Sequence, residues 1–188
     1  MVKKIIIGIG TSILLAGCST PPYYSVWNMS TSPNKSVLEK KTKTSHLYKA
    51  FSQEPSIKVS NKVSRYISKS DVETSIVLSL IHYNLYSYDS SGKYTLDIEV
   101  KSMDVRGGES FYQSSEEFQS ISDDVKVELE ISYLITLNKT EEVIFERVIK
   151  TKHQDKIHDT DKTRDIVVED TFARNYDLFI QNFIKENL

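Results

Sequence analysis

The chain has 188 residues, enough for one ordinary domain with short appendages, and its 39% apolar and 27% charged composition, with eleven Tyr and seven Phe, excludes wholesale disorder. The formal charge is −2, and loss of a leader carrying Lys3 and Lys4 leaves 22 basic against 26 acidic side chains, a charge of −4. Such a weakly acidic body has neither the electrostatic footprint of a nucleic-acid binder nor a basic patch to steer it onto anionic lipid headgroups. A single cysteine excludes a framework of internal disulfides, so stability must come from packing.

The first twenty residues follow the plan of an export signal. Lys3 and Lys4 form the positive region, Ile5 to Leu15 the apolar run, and Ala16-Gly17 the small residues before Cys18. The run is too short to span a bilayer, which needs about 20 apolar residues. No other segment is long and apolar enough to cross. Leu15-Ala16-Gly17-Cys18 resembles the bacterial lipobox. The resemblance implies that Cys18 receives a diacylglyceryl group and that the leader, residues 1–17, is cut away between Gly17 and Cys18. Acylated Cys18 then becomes the N-terminus, a membrane anchor worth about 0.8 kcal/mol per buried CH₂. An Asp after the cysteine commonly signals inner-membrane retention in proteobacterial lipoproteins; Ser19 there implies the outer membrane, with the domain facing the periplasm.

Residues 18–53 are rich in Ser, Thr, Lys, Asn and Pro without sustained periodicity, and read as the acylated N-terminus and a flexible tether. Tyr23, Tyr24 and Trp27 interrupt it, either as aromatic anchors at the membrane interface or as rings docked on the domain body or a partner. Val37, Leu38, Leu47, Tyr48 and Phe51 mark where packing begins.

Residues 54–188 read as a single α+β domain. Ile57 to Ser64 has the pattern of a first strand, and Ser70-Asp71-Val72-Glu73 that of a capping box. Val72, Ile76, Val77, Leu80, Ile81 and Leu85 recur at helical spacing, predicting a helix over 71–86 that Asp89-Ser90-Ser91-Gly92 ends. Tyr94, Leu96, Ile98 and Val100 alternate with polar residues, and the shift of register to Met103 and Val105 suggests a bulge. An acidic, Ser-rich excursion over 106–124 reads as a long mobile hairpin loop. Val125, Val127, Leu129, Ile131, Tyr133, Ile135 and Leu137 then occupy every odd position of a strong strand, and Val143 to Lys152 returns as another. A polar connection over 153–161 leads to a final helix lined by Val168, Phe172, Tyr176, Phe179, Ile180 and Phe183.

The order is therefore β-α-β-β-β-α: a four-stranded mixed or antiparallel sheet with two helices packed on one face. The other face should carry Asp97, Glu99, Lys101, Lys126, Glu128 and Glu130 in water, which argues against a sandwich, a closed barrel or a greasy cavity on that side.

Chemistry is sparse. The stretch from His153 to Asp161 gathers His153, His158, Asp155, Asp159 and Asp161, yet its spacing matches no zinc signature, and it lacks the Gly and terminal Glu of a calcium loop. It reads as a solvated loop before a helix N-terminus, where acidic residues suit the dipole. The pairs Asp97/Glu99 and Glu128/Glu130 share a strand face and imitate an acid/base pair; Lys101 and Lys126 beside them favour cross-strand ion pairs instead. There is no G-x-S-x-G, P-loop or G-x-G-x-x-G, and no second cysteine.

Ile57-Lys58-Val59, Val72 to Leu85, Tyr94 to Val100, Val127 to Leu137, and Arg164 to Leu188 with its Ala173-Arg174-Asn175 and Phe179-Ile180, set behind a lipobox, resemble small Gram-negative outer-membrane lipoproteins. That group includes the YajG-like, ABC-transport auxiliary and lipopolysaccharide-assembly E lipoproteins. The resemblance is one of pattern over most of the mature chain. It implies a non-catalytic accessory or scaffold subunit of an envelope assembly or transport system, held to the membrane through Cys18 and docked on an envelope protein. From the charge, ligand spacing and motifs, no cofactor, metal or nucleic acid is expected. The alternative is a periplasmic ligand-binding or hydrolytic module using the charged sheet face or the 153–161 segment.

Overall fold

The computed structural model describes residues 24–32, 49–88, 92–107, 124–156 and 160–187, with side chains in the last stretch from Arg164 onward. Cys18 and residues 108–123 of the expected 106–124 loop lie outside these residues. The elements are α1 (Val26–Met29), β1 (Ser56–Val59), α2 (Lys69–His82), β2 (Tyr94–Arg106), β3 (Asp124–Leu137), β4 (Glu142–Lys156) and α3 (Thr160–Glu186).

The four strands form one sheet in the order β1-β2-β3-β4. β1 runs parallel to β2, with Ile57 opposite Ile98, because α2 carries the chain back before the next strand begins. β2, β3 and β4 then meander antiparallel. The sheet is mixed, the class is α+β, and the β-α-β-β-β-α order is that of the sequence pattern, preceded by the short α1.

The alternation in β3 decides which face is which. Val125, Val127, Leu129, Ile131, Tyr133 and Ile135 are all buried, while the even positions between them stay partly wet. In β2 the buried set is Leu96, Ile98 and Val100, then Met103. The change from even to odd is a bulge between Val100 and Ser102, with Lys101 the extra residue. Without it the one-residue slip would turn Met103 and Val105 toward solvent. At the end of β2 the chain enters Gly107 with φ of +82°, where a Cβ would lie 2.0 Å from the Asp124 carbonyl oxygen. Only glycine fits there.

α3 lies across β3 and β4 and buries Val167, Val168, Phe172, Tyr176, Phe179, Ile180 and Phe183 completely. Phe179 stacks on Tyr133 at 4.1 Å between ring centroids, and Phe145 meets Phe179 and Phe183 edge-on. α2 buries Val72, Ile76 and Leu80 beside β1 and α3.

Three boundaries between β1 and β2 differ from the sequence expectation. The first strand stops at Val59, because the carbonyl of Ser60 accepts from the amides of Val63 and Ser64 and winds 61–66 into turns; Val63 is buried from a turn rather than a strand. The cap of α2 is Ser68 instead of Ser70: its hydroxyl accepts from the Asp71 amide at 3.0 Å. The helix ends at His82 because Asn84 turns left-handed, with φ of 55°, so Leu85 enters the core from the following segment.

Candidate functional site

The stretch read as tether is not all free of the body. Tyr24 and Met29 are buried, and so are Ala50 and Phe51. Residues 24–32 form a strap over α2 and α3. Glu169, a buried acid on α3, receives the Ser25 amide on one oxygen at 2.6 Å and the Asn28 side-chain amide on the other at 2.8 Å. Two donors on one carboxylate are what a buried charge requires. At the far end the Thr31 amide donates to Ser79 Oγ at 3.0 Å, and His82 Nδ1 lies 3.2 Å from the Thr31 carbonyl. Of the three rings singled out, Tyr24 docks on the body, Trp27 stands 66% exposed, and Tyr23 lies outside the described residues. The Tyr24 hydroxyl has no hydrogen-bond partner among the described residues, and burial first, then Asp165, pushes its pKa up to about 12.

Beneath α3 runs a buried polar network that the pattern reading missed. Tyr133 donates to Asn175 Oδ1 at 2.6 Å, and the Asn175 amide donates to the Ile149 carbonyl and Thr151 Oγ1, each at 3.1 Å. Ser75 Oγ and Tyr176 hydroxyl meet at 3.1 Å, joining α2 to α3. Tyr83 donates to Asp177, which also accepts from Gln181. Burial drives the pKa of Tyr133 and Tyr176 above the ordinary tyrosine range. Tyr83 is raised too, by burial and then by its bond to Asp177. These phenols are held neutral as donors, and the network locks helices to strands.

The outer face of the sheet carries charges as expected, but the cross-strand partners are Lys150 and Lys152, while Lys126 pairs along its own strand. Glu128 sits between Lys126 at 2.5 Å and Lys152 at 3.9 Å, and Glu130 pairs with Lys150 at 3.0 Å across β3 and β4. Lys126 holds the Glu128 carboxyl below the usual range, opposite to what a general acid needs. Lys101 is the extra residue of the bulge, out of step with this ladder. Asp97 stands opposite Leu134 and Glu99 opposite Ser132, so neither strand-face pair converges on a reacting centre.

The 153–161 segment is mostly not a loop. β4 continues to Lys156 and α3 starts at Thr160, because His153 to Lys156 extend the ladder with Val127 to Asp124. His153 turns under α3 with Nε2 3.6 Å from Asp170, while Asp155 is exposed and accepts from the Lys156 amide. His158, Asp159 and the Asp161 side chain lie outside the described residues. No group of three potential ligands forms a metal site among the described residues. The shallow depression between β4 and the end of α3 is crossed by Arg147 and Glu186, 2.6 Å apart.

No helix of the described residues is long and apolar enough to cross a membrane. No family model matches the chain, and no curated protein sequence matches it. Among solved structures, a protein from Xanthomonas campestris is 14% identical with a TM-score of 0.46, the alignment covering 84% of this chain and 92% of that one. A minor lipoprotein from Acinetobacter baumannii is 12% identical with a TM-score of 0.44, over 76% and 97%. The rare lipoprotein B of Shewanella oneidensis is 13% identical with a TM-score of 0.40, over 72% and 96%. At these scores the likeness is one of outline, and neither the fold nor the function argued for this chain rests on it.

Proposed function

We propose that this protein is a lipid-anchored envelope lipoprotein, cut between Gly17 and Cys18, acylated on Cys18, and held in the outer membrane with its domain in the periplasm. The domain acts as a non-catalytic accessory or scaffold subunit of an envelope assembly or transport system. The observation that carries the reading is the lone cysteine at the end of an apolar run, in Leu15-Ala16-Gly17-Cys18. The domain's chemistry supports the non-catalytic part: its carboxylate ladder is paired with lysines, and its buried tyrosines are engaged in packing and neutral hydrogen bonds.

Cys18→Ala is expected to lose incorporation of a palmitate analogue and to leave the membrane fraction. Persistent attachment of that variant would count against the anchor. Affinity purification of the lipidated protein should recover an envelope protein in stoichiometric amount. A monomer stabilised against heat by an ion or a sugar would instead favour the ligand-binding or hydrolytic module.

A further inference from the structure

We infer that Trp27 and Ile166 make a second contact with the membrane, so that the domain is held with its α1 side against the lipid interface. The inference rests on the anchoring reading only for the position of the lipid. Tyr24 is six residues from Cys18, and an extended chain spans about 3.3–3.6 Å per residue, so the strap starts within about 20 Å of the anchored residue. The strap is fixed to the body there: Glu169 grips Ser25 and Asn28, and Tyr24 and Met29 are buried. The end of the domain nearest the lipid is therefore a set surface, not any side of a freely tumbling body.

Two large apolar side chains stand out on that surface. Trp27 is 66% exposed, between the two strap residues that Glu169 holds. Ile166 is 49% exposed and lies one turn before Glu169 on the same side of α3. An indole is apolar in body with one N–H donor, which suits the headgroup level of a bilayer, and it needs no basic patch. The occupant is the lipid interface because the six-residue link brings this surface to it.

Trp27 is the chain's single tryptophan, so its emission reports this position alone. The lipidated protein, purified from membranes, is reconstituted into vesicles of phosphatidylethanolamine and phosphatidylglycerol containing lipids brominated near the headgroup. Flotation reads the anchor, and quenching reads the contact. Trp27 emission should shift to the blue and lose most of its intensity. In a Trp27→Phe background, Ile166→Trp should be quenched as well. Leu178→Trp should not: it is similarly exposed on α3, but about 18 Å further along the helix axis. An unquenched, water-like Trp27 on floating vesicles overturns the proposal, as does equal response at 166 and 178. If the protein fails to float, the anchor reading has failed separately. Coupling the Cys18 thiol to a maleimide-headgroup lipid then places the chain on the vesicle, and the same quenching pattern decides.

Discussion

The two faces of the sheet are built from the same strands, yet they divide the work of the molecule. Under α2 and α3 the odd-numbered side chains of β3 from Val125 to Ile135 are buried, aromatic rings stack, and polar groups are bonded in small sets such as that of Tyr133, Asn175 and Thr151. On the outer face the same strands carry Glu128, Glu130, Lys126, Lys150 and Lys152 as solvated pairs. Buried packing costs several kcal/mol to disturb, whereas exposed ion pairs are screened and contribute little. The covered face therefore determines the fold, and the open face adds little to its stability.

The largest effect should come from the centre of the covered face. Phe179→Ala removes the ring stacked on Tyr133 and packed on Phe145, and is expected to lower unfolding stability by about 3–5 kcal/mol in urea titrations. A loss below 1 kcal/mol would mean that the core closes over the gap and that the contrast between the faces is overstated.

Alkali tests the same face more gently. The folded pKa values of Tyr133, Tyr176, Tyr83 and Tyr24 lie above the unfolded value of about 10, so the folded state holds these protons more tightly. Their contribution is complete below pH of about 10 and is lost as pH rises through the folded values. Denaturation midpoints should fall above that pH, and part of the tyrosinate absorbance should appear only with unfolding. Simultaneous titration of all rings without loss of structure would contradict the burial argument.

The smallest effect belongs to the open face. Glu128→Gln breaks the pairs with Lys126 and Lys152, and the urea midpoint should stay where it was. A marked drop would show the ladder to be structural and the faces to be less different than their burial suggests.

The difference between the faces also explains what could be read from sequence. β3 was legible because one wet face forces strict alternation, and the bulge in β2 because the alternation changed parity at Lys101. The apolar stripe of α3 was legible for the same reason at helical spacing. The cap of α2 was not, since Ser68 and Ser70 both stand at the start of the apolar stripe and only the local backbone makes Ser68 the cap and places Ser70 inside the first turn. The end of α2 depended on Asn84 adopting a left-handed conformation, which its apolar neighbours outweighed in the pattern. The docking of Tyr24 on the body was one of two readings its ring allowed. Least legible were residues whose partners are remote: Met29 sits in a polar stretch, and Glu169 and Asn175 look like ordinary wet positions of a helix. Their burial depends on segments more than a hundred residues away in one case and on the opposite strand in the other.

The grip of Glu169 on Ser25 joins residues 144 positions apart. Synthesis runs from the N-terminus, so this bond cannot form until the chain has been made as far as Glu169. The first described segment to be made is therefore among the last able to dock.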